Sequence, residues 1–192
     1  VYGGKGQAPM THMGNVAGYR KSWIDAKEYM ESWDEYEAGM GNGKPPKRDL
    51  RLESLAGVLR GEILIQNHCY RADEMMVMME IAKEFDFKVT TFHHAVESYK
   101  IADKLAENGV CSAMWSDWWG FKQEAYDMVP SNVALVDKAG ACAVVHSDSA
   151  TVIQHLNKEA AKAMASGNRL GMDITPAHAI KWITINAAKA IG

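Results

Sequence analysis

Four of the seven histidines in this 192-residue chain fall in short motifs where β-strands should end. His68 closes EILIQNH (62–68), and His93 and His94 close KVTTFHH (88–94). His146 closes GACAVVH (140–146) and is followed at once by Ser147 and Asp148. Buried strands should be apolar, so imidazoles and a carboxylate at three strand ends break the rule in the same way. Two imidazoles and a carboxylate meeting at one mouth are natural ligands for a divalent metal. Neutral imidazole suits zinc, and a carboxylate beside the metal can also take a proton from bound water. A single histidine at a strand end is more often a hydrogen-bonded structural group. The metal reading rests on three separate ends carrying the same chemistry. His155 and His178 lie on helical patterns, and His12 lies in a loop with no ligand partner at a usual spacing. Met75, Met76, Met78 and Met79 read as core filler on a helix.

These side chains can meet only if the fold brings their strands side by side. Residues 1–18 are rich in glycine and polar residues and read as a long loop. Residues 19–37 repeat Trp23, Ala26, Met30 and Trp33 at helical spacing. The run GMGNGKPP (39–46) is a breaker. Asp49 is placed to cap a short helix with Leu52, Leu55, Ala56 and Leu59 on one stripe. Beyond Gly61 strands alternate with helices. Strands are expected at 62–68, 88–94, 109–114 and 140–146. Helices are expected at 73–85, at 99–108, near 121–136, near 151–166 and at 176–190. The last has Thr175 as its cap and Pro176 in its first turn.

Strand alternating with helix at this spacing implies parallel βα units. The four units from residue 61 to 192 average about 33 residues, close to the roughly 31 of a complete (β/α)8 barrel of the TIM type. The expected fold class is therefore α/β, with the repeat of that barrel and about half its strands. In such a barrel every carboxyl strand end opens onto one face, where catalytic side chains cluster. An open doubly wound sheet is the runner-up, but no GxGxxG follows a strand.

Apolar residues make up 47% and charged residues 23% of the sequence, enough apolar surface to fold and to exclude disorder as the main description. A net charge of −3 argues against nucleic acid as the main partner. No stretch of about 18 apolar residues encodes a membrane span. Cys69, Cys111 and Cys142 form an odd, sparse set with no CxxC. They are expected to be buried thiols, which favours a reducing, cytoplasmic location. The first residues show neither an initiator methionine nor an apolar signal core, so a processed or incomplete chain is expected.

Several segments together resemble the metal-dependent amidohydrolase superfamily, and most of all its imidazolonepropionase-like and prolidase-like branch. They are HCYRADEM (68–75), TFHHAVESYKIADKLAENGV (91–110), SDWWGFKQEAYDMVPSNVALV (116–136), VVHSDSA (144–150) and AIKWITINAAKAIG (179–192). The resemblance implies that the chain covers about barrel strands 5–8. Residues 1–60 would be the loop and helices after strand 4, and residues 61–192 the carboxyl-terminal half of the barrel, as one domain. It further implies that His68 is the strand-5 metal ligand and that His94, rather than His93, is the strand-6 ligand. The family's strand-6 histidine directly precedes a run like AVESYK. Strand alternation, which sets Val89 and His93 on one face and Phe92 and His94 on the other, supports that choice. Asp148 would be the strand-8 aspartate that binds metal and acts as general base. Tyr70 and Arg71 could meet a substrate carboxylate, and Asp117, Trp118 and Trp119 could wall a pocket.

The activity implied by the resemblance is that of a hydrolase cleaving an amide or peptide-like C–N bond of a small molecule. Its cofactor would be a divalent metal, most readily Zn2+, as one ion or two. The family's strand-1 HxH and its bridging carboxylate near strand 4 have no counterpart in this sequence. A half barrel bares two parallel edges and an apolar inner face. Its expected partner is the amino-terminal half of the barrel, from a missing or separate segment, or else a second copy in a homo-oligomer. The alternatives are a deaminase of a cyclic substrate and a non-catalytic half-barrel subunit.

Overall fold

A computed structural model describes residues 9–40 and 43–192. The chain divides into two compact units. One holds the residues up to Ile63 together with Ile81–Phe87, and the other holds Leu64–Glu80 and Lys88–Gly192.

The first unit is helical. Helix α1 (His12–Glu37) starts earlier than its apolar spacing suggests. Thr11 caps it by accepting from the Gly14 N–H at 3.0 Å, and this cap offsets the poor helix propensity of Gly14 and Gly18. His12 therefore stands on a helix rather than in a loop, and residues 12–18 are not part of one. The loop reading of residues 1–8, and that of residues 41–42 in the breaker run, falls outside the described residues. Asp49 caps α2 (Leu50–Leu59) as expected, accepting from the N–H groups of Arg51 and Leu52. Within this unit the Trp23 and Phe87 rings lie 4.2 Å apart, and Arg20 pairs with Glu84 at 2.7 Å.

The second unit is built on a parallel sheet of four strands, β1 (Ile65–Cys69), β2 (Val89–His94), β3 (Cys111–Met114) and β4 (Cys142–Val145), in the order β1-β2-β3-β4. Every pairing is parallel. A doubly wound sheet reverses its strand order at a switch point. These four strands show no reversal, and successive neighbours are what an arc of a barrel requires. Helices α3 (Ala72–Glu84), α4 (Ala102–Asn108), α5 (Asn132–Lys138) and α6 (Leu156–Arg169) alternate with the strands. Central β3 is buried at every residue, whereas edge strand β1 alternates between exposed and half-buried positions until Cys69. No helix among the described residues is long and apolar enough to cross a membrane.

Four expected helices are interrupted: those expected at 99–108 and near 151–166 open with 3-10 turns (Ser98–Ile101 and Val152–His155) before α4 and α6, and two others are broken further. Only a 3-10 turn (Gln123–Ala125) and α5 form between residues 121 and 138, because Pro130 cannot continue a helical ladder. The last segment splits into α7 (Pro176–Ala179), a 3-10 turn (Ile180–Ile183) and α8 (Ile185–Ala190). The break falls at Thr184, whose hydroxyl donates back to the Ile180 carbonyl at 2.7 Å. Thr175 does cap α7, accepting from the His178 N–H.

The cysteine reading needs correction. Cys111 and Cys142 are register partners on β3 and β4, with Cα atoms 4.4 Å apart, and they form a disulfide. Only Cys69 is a free thiol. Burial pushes its pKa up to about 12. Partners on neighbouring strands can be any distance apart in sequence, so spacing does not reveal such a bond. The argument for a reducing compartment loses its basis.

Candidate functional site

Four successive strands deliver their carboxyl ends to one rim, and backbone hydrogen bonds tie the loops beyond them. The Ala95 N–H donates to the Cys69 carbonyl at 2.9 Å, and the Glu97 N–H to the Tyr70 carbonyl at 3.1 Å. The His146 N–H donates to the Met114 carbonyl at 3.0 Å. The Trp115 indole N–H donates to the Ser147 carbonyl at 3.2 Å. Asn132 at the start of α5 supports the loop after β2. Its amide donates to the carbonyls of Ala95 and Val96, and its oxygen accepts from the Tyr99 N–H.

On this frame His68 and His94 come together, with ring centroids 4.5 Å apart. The Nδ1 of His94 lies 3.9 Å from an Asp148 carboxylate oxygen. His94 keeps only 12% of its side chain exposed, whereas Asp148 keeps 58%. Register alone would not produce this meeting, because His68 stands opposite His93, and His94 stands opposite Cys69. At His94 the chain leaves the extended region, with φ 72°, followed by 36° at Ala95. Strand alternation ceases to govern at that point. Asp148 has φ 48°. Two of the three expected ligands thus sit in the left-handed region, a costly backbone state that clusters at functional sites. His93 instead pairs its Nε2 with the Gln66 side-chain oxygen at 2.7 Å.

The remaining candidates divide. Tyr70 is buried and stacks on His94, with centroids 5.2 Å apart and 5.1 Å from His68. Arg71 is exposed and held by Asp73 at 3.0 Å. Asp117 pairs with Lys162 of α6 at 2.8 Å. Trp118 stacks on Trp115 at 5.7 Å, and Trp119 is exposed.

Trp115 and Lys122 join the site beyond the residues expected in it, and so does His146, a strand-end histidine to which the resemblance gave no role. Trp115 is 3% exposed and stacks on both His94 (4.7 Å) and His146 (5.3 Å). The His146 ring lies 5.1 Å from that of His94. Lys122 sets its ammonium 3.9 Å from the centre of the Tyr70 ring. The signal for Trp115 and His146 is position, since Trp115 directly follows β3 and His146 directly follows β4. Lys122 carries no such mark.

The electrostatics keep the imidazoles neutral. Burial, then the charge of His68, pushes the His94 pKa down to about 4. Burial, then His94 and His93, pushes His146 down to about 3. His68 is lowered by burial and then by Lys122, and His93 by burial and then by His68. Neutral imidazole is the form that binds metal. The buried Nδ1 of His94 and Nε2 of His146 have no hydrogen-bond partner. An orphaned ring nitrogen beside a carboxylate fits a ligand position. Among the described residues, however, no group of three or more His, Cys, Asp or Glu side chains is arranged to hold a metal ion. The donor chemistry suits the ion, and the set present is a partial one.

A parallel βα sheet carries imidazoles and an aspartate at its carboxyl rim, and two comparisons find named proteins similar to the chain that bears it. The chain is 28% identical, over 178 residues, to the amidohydrolase tasK of Hapsidospora irregularis, a match that covers 87% of this chain and 18% of that protein. It superposes with a TM-score of 0.84 and 27% identity on the crystal structure of an amidohydrolase from Thermotoga maritima MSB8. That match covers 98% of this chain and 47% of the other. No family model matches the chain. Both similar proteins are named amidohydrolases, and together they support an amidohydrolase family. This chain spans less than a fifth of the first and about half of the second.

Proposed function

We propose that this chain contributes the carboxyl-terminal half of a (β/α)8 barrel to a metal-dependent hydrolase of the imidazolonepropionase-like and prolidase-like branch. The enzyme would cleave an amide or peptide-like C–N bond in a small molecule. The reading is carried by His94, whose ring lies 4.5 Å from that of His68 and whose buried Nδ1, without a hydrogen-bond partner, lies 3.9 Å from the Asp148 carboxylate.

His68, His94 and Asp148 would hold the ion, with further ligands from strands outside the described residues. A divalent metal, zinc by donor type, supplies Lewis acidity and brings the pKa of a bound water toward about 7. The chain's own work is acid–base and positional. Asp148 accepts the proton of the attacking water and returns it to the leaving nitrogen. Its exposure lets it reach a substrate at the rim. Trp115 and Tyr70 stack on the His94 ring, fix its plane and keep water from its faces. β1 pairs only with β2 and so offers a free strand edge on which the amino-terminal half of the barrel, from another segment or a second copy, would pair.

The test is metal content and amide hydrolysis of the natural polypeptide and its His68→Ala, His94→Ala and Asp148→Asn variants. Both alanine variants should lose bound zinc. Asp148→Asn should lose about 10²–10⁴-fold in kcat, the range for removing a general base. Unchanged zinc stoichiometry in both histidine variants would defeat the assignment.

A further inference from the structure

A buried carboxylate that the proposed chemistry does not use joins the loops after β1 and β2. Glu97 follows His94 in the turn after β2 and is 8% exposed. Its backbone N–H donates to the Tyr70 carbonyl at 3.1 Å, and its Oε2 accepts from the Ala72 N–H at 3.0 Å. Ala72 opens α3, so the carboxylate serves a helix N–H that has no partner within its own helix. Glu97 thus grips the chain on both sides of Arg71. An exposed Asp or Ser next to the helix would cap it as well. An acid reaching across from the next loop does what a local cap cannot, which is to couple the two loops.

That grip closes a circuit. The Tyr70 ring stacks on His94 at 5.2 Å, with the planes 19° apart. The Tyr70 backbone is tied to Glu97, and Glu97 is reached from His94 through the turn that begins at φ 72°. Displacing Glu97 would therefore disturb both partners of the stack. A buried carboxylate is costly unless it is paired. Here the Lys100 ammonium lies 3.3 Å from the other oxygen, Oε1, and donates to Asp127 at 2.7 Å. Asp127 lies in the segment between β3 and α5, so Ala72, Glu97, Lys100 and Asp127 lace three rim loops together. The buried Nδ1 of His94 has no hydrogen bond to fix it, and the flanking rings take over that task.

We propose that Glu97 is a positioning residue for His94: its double hold on residues 70–72 keeps the Tyr70 ring flat on the imidazole and so sets the direction of the ring nitrogens. The inference goes beyond the hydrolase reading and rests on it only for the ion that His94 would hold. Glu97 takes no proton and meets no substrate. It acts through Tyr70.

Histidine ring NMR and zinc titration of the natural polypeptide test this by separate routes. A stacked ring displaces the signal of the imidazole Cε1–H, and the His94 signal is the one lost in His94→Ala. Glu97→Ala should shift that signal and weaken zinc about 10-fold in chelator competition, the lower end of the range for losing the outer support of a ligand. Glu97→Gln keeps an oxygen for the Ala72 N–H and should hold the signal in place and zinc affinity to within about 2-fold. Glu97→Asp keeps the charge but is one methylene short, and should fall between the two. The Cys111→Ala/Cys142→Ala variant, altered at the far end of the sheet, should lose stability and leave both readings unchanged. A His94 signal that stays in place in Glu97→Ala overturns the proposal, as does one that the cysteine variant shifts equally. So does unchanged zinc affinity in Glu97→Ala when the wild type binds zinc. Should the alanine variant fail to fold, the other two decide: a shift in aspartate but not in glutamine supports the proposal, and the reverse overturns it. A wild type that binds no zinc, with a His94 signal that still depends on Glu97, would sink the hydrolase reading and leave the positioning role standing.

Discussion

The face of the sheet that carries His68 has two ends, and they treat polar groups in opposite ways. At the amino end of the strands, α8 lies against the sheet and partners are found. Gln66 and Thr91 both donate to the Ala190 carbonyl at 2.8 Å, and Asn186 donates to the Ala143 carbonyl at 2.8 Å. Gln66, Thr91, Cys111 and Cys142 form one register row, and its last two members are covalently joined. At the carboxyl end, two ring nitrogens are buried without partners, and His94 and Asp148 hold left-handed backbone. A buried polar atom without a partner costs about 1–3 kcal/mol. One end of the sheet is therefore built for stability, and the other end carries a cost that stability alone would not select.

Unlocking the amino end should bring the largest change in stability. The Cys111–Cys142 bond closes a loop of 31 residues. Loop-closure entropy assigns such a cross-link about 3–4 kcal/mol. The Cys111→Ala/Cys142→Ala double variant should lose that much in urea denaturation, and reductant should lower the wild-type midpoint alike. Thiol counting should find one reactive cysteine in denaturant without reductant and three with it. Three from the start would show that the row is not cross-linked.

The next effect lies just behind the rim. Asn132 is 1% exposed and holds three backbone groups of the segment after His94. Asn132→Ala strands those groups and should cost on the order of 3 kcal/mol. Asn132→Asp keeps the acceptor for Tyr99 but turns a buried carboxylate oxygen toward both carbonyls, so it should cost at least as much as alanine. If the alanine variant proves as stable as the wild type, the left-handed turn at His94 and Ala95 is held by something other than this side chain.

The same contrast explains which features are legible in the sequence. The four strands, the Asp49 and Thr175 caps and the sequential order come from local chemistry, because apolar runs, capping side chains and unit length are local signals. The disulfide is not local, since it depends on which residues become register partners. The choice of His94 over His93 rests mainly on resemblance. Alternation alone cannot explain why His94 reaches His68, because the strand geometry ends at a positive φ that the residue type does not announce. Gly14 and Gly18 hide the first turns of α1, since propensity argues against a helix that the Thr11 cap permits. Trp115 and His146 sit in plain view beside recognisable strand ends. Their stacking depends on the packing of three loops, which no spacing rule encodes.

The smallest expected effect on stability is also the one that separates the two ends most sharply. His146 keeps its backbone bond to Met114 whatever its side chain, and its ring packs flat on Trp115. Its buried Nε2 has no partner to lose. Replacing it with leucine removes an unsatisfied polar atom and keeps apolar contact with the indole. His146→Leu should therefore leave the denaturation midpoint unchanged or raise stability by up to about 1 kcal/mol. Thr91→Val at the other end deletes a satisfied donor and should lower stability by about 1 kcal/mol. The opposite signs are the prediction, because a histidine kept for packing would cost stability when removed, whereas one kept for the rim's chemistry would not. A loss well beyond about 1 kcal/mol in His146→Leu would mean that this ring belongs to the scaffold and that the unsatisfied region is confined to His94 and Asp148.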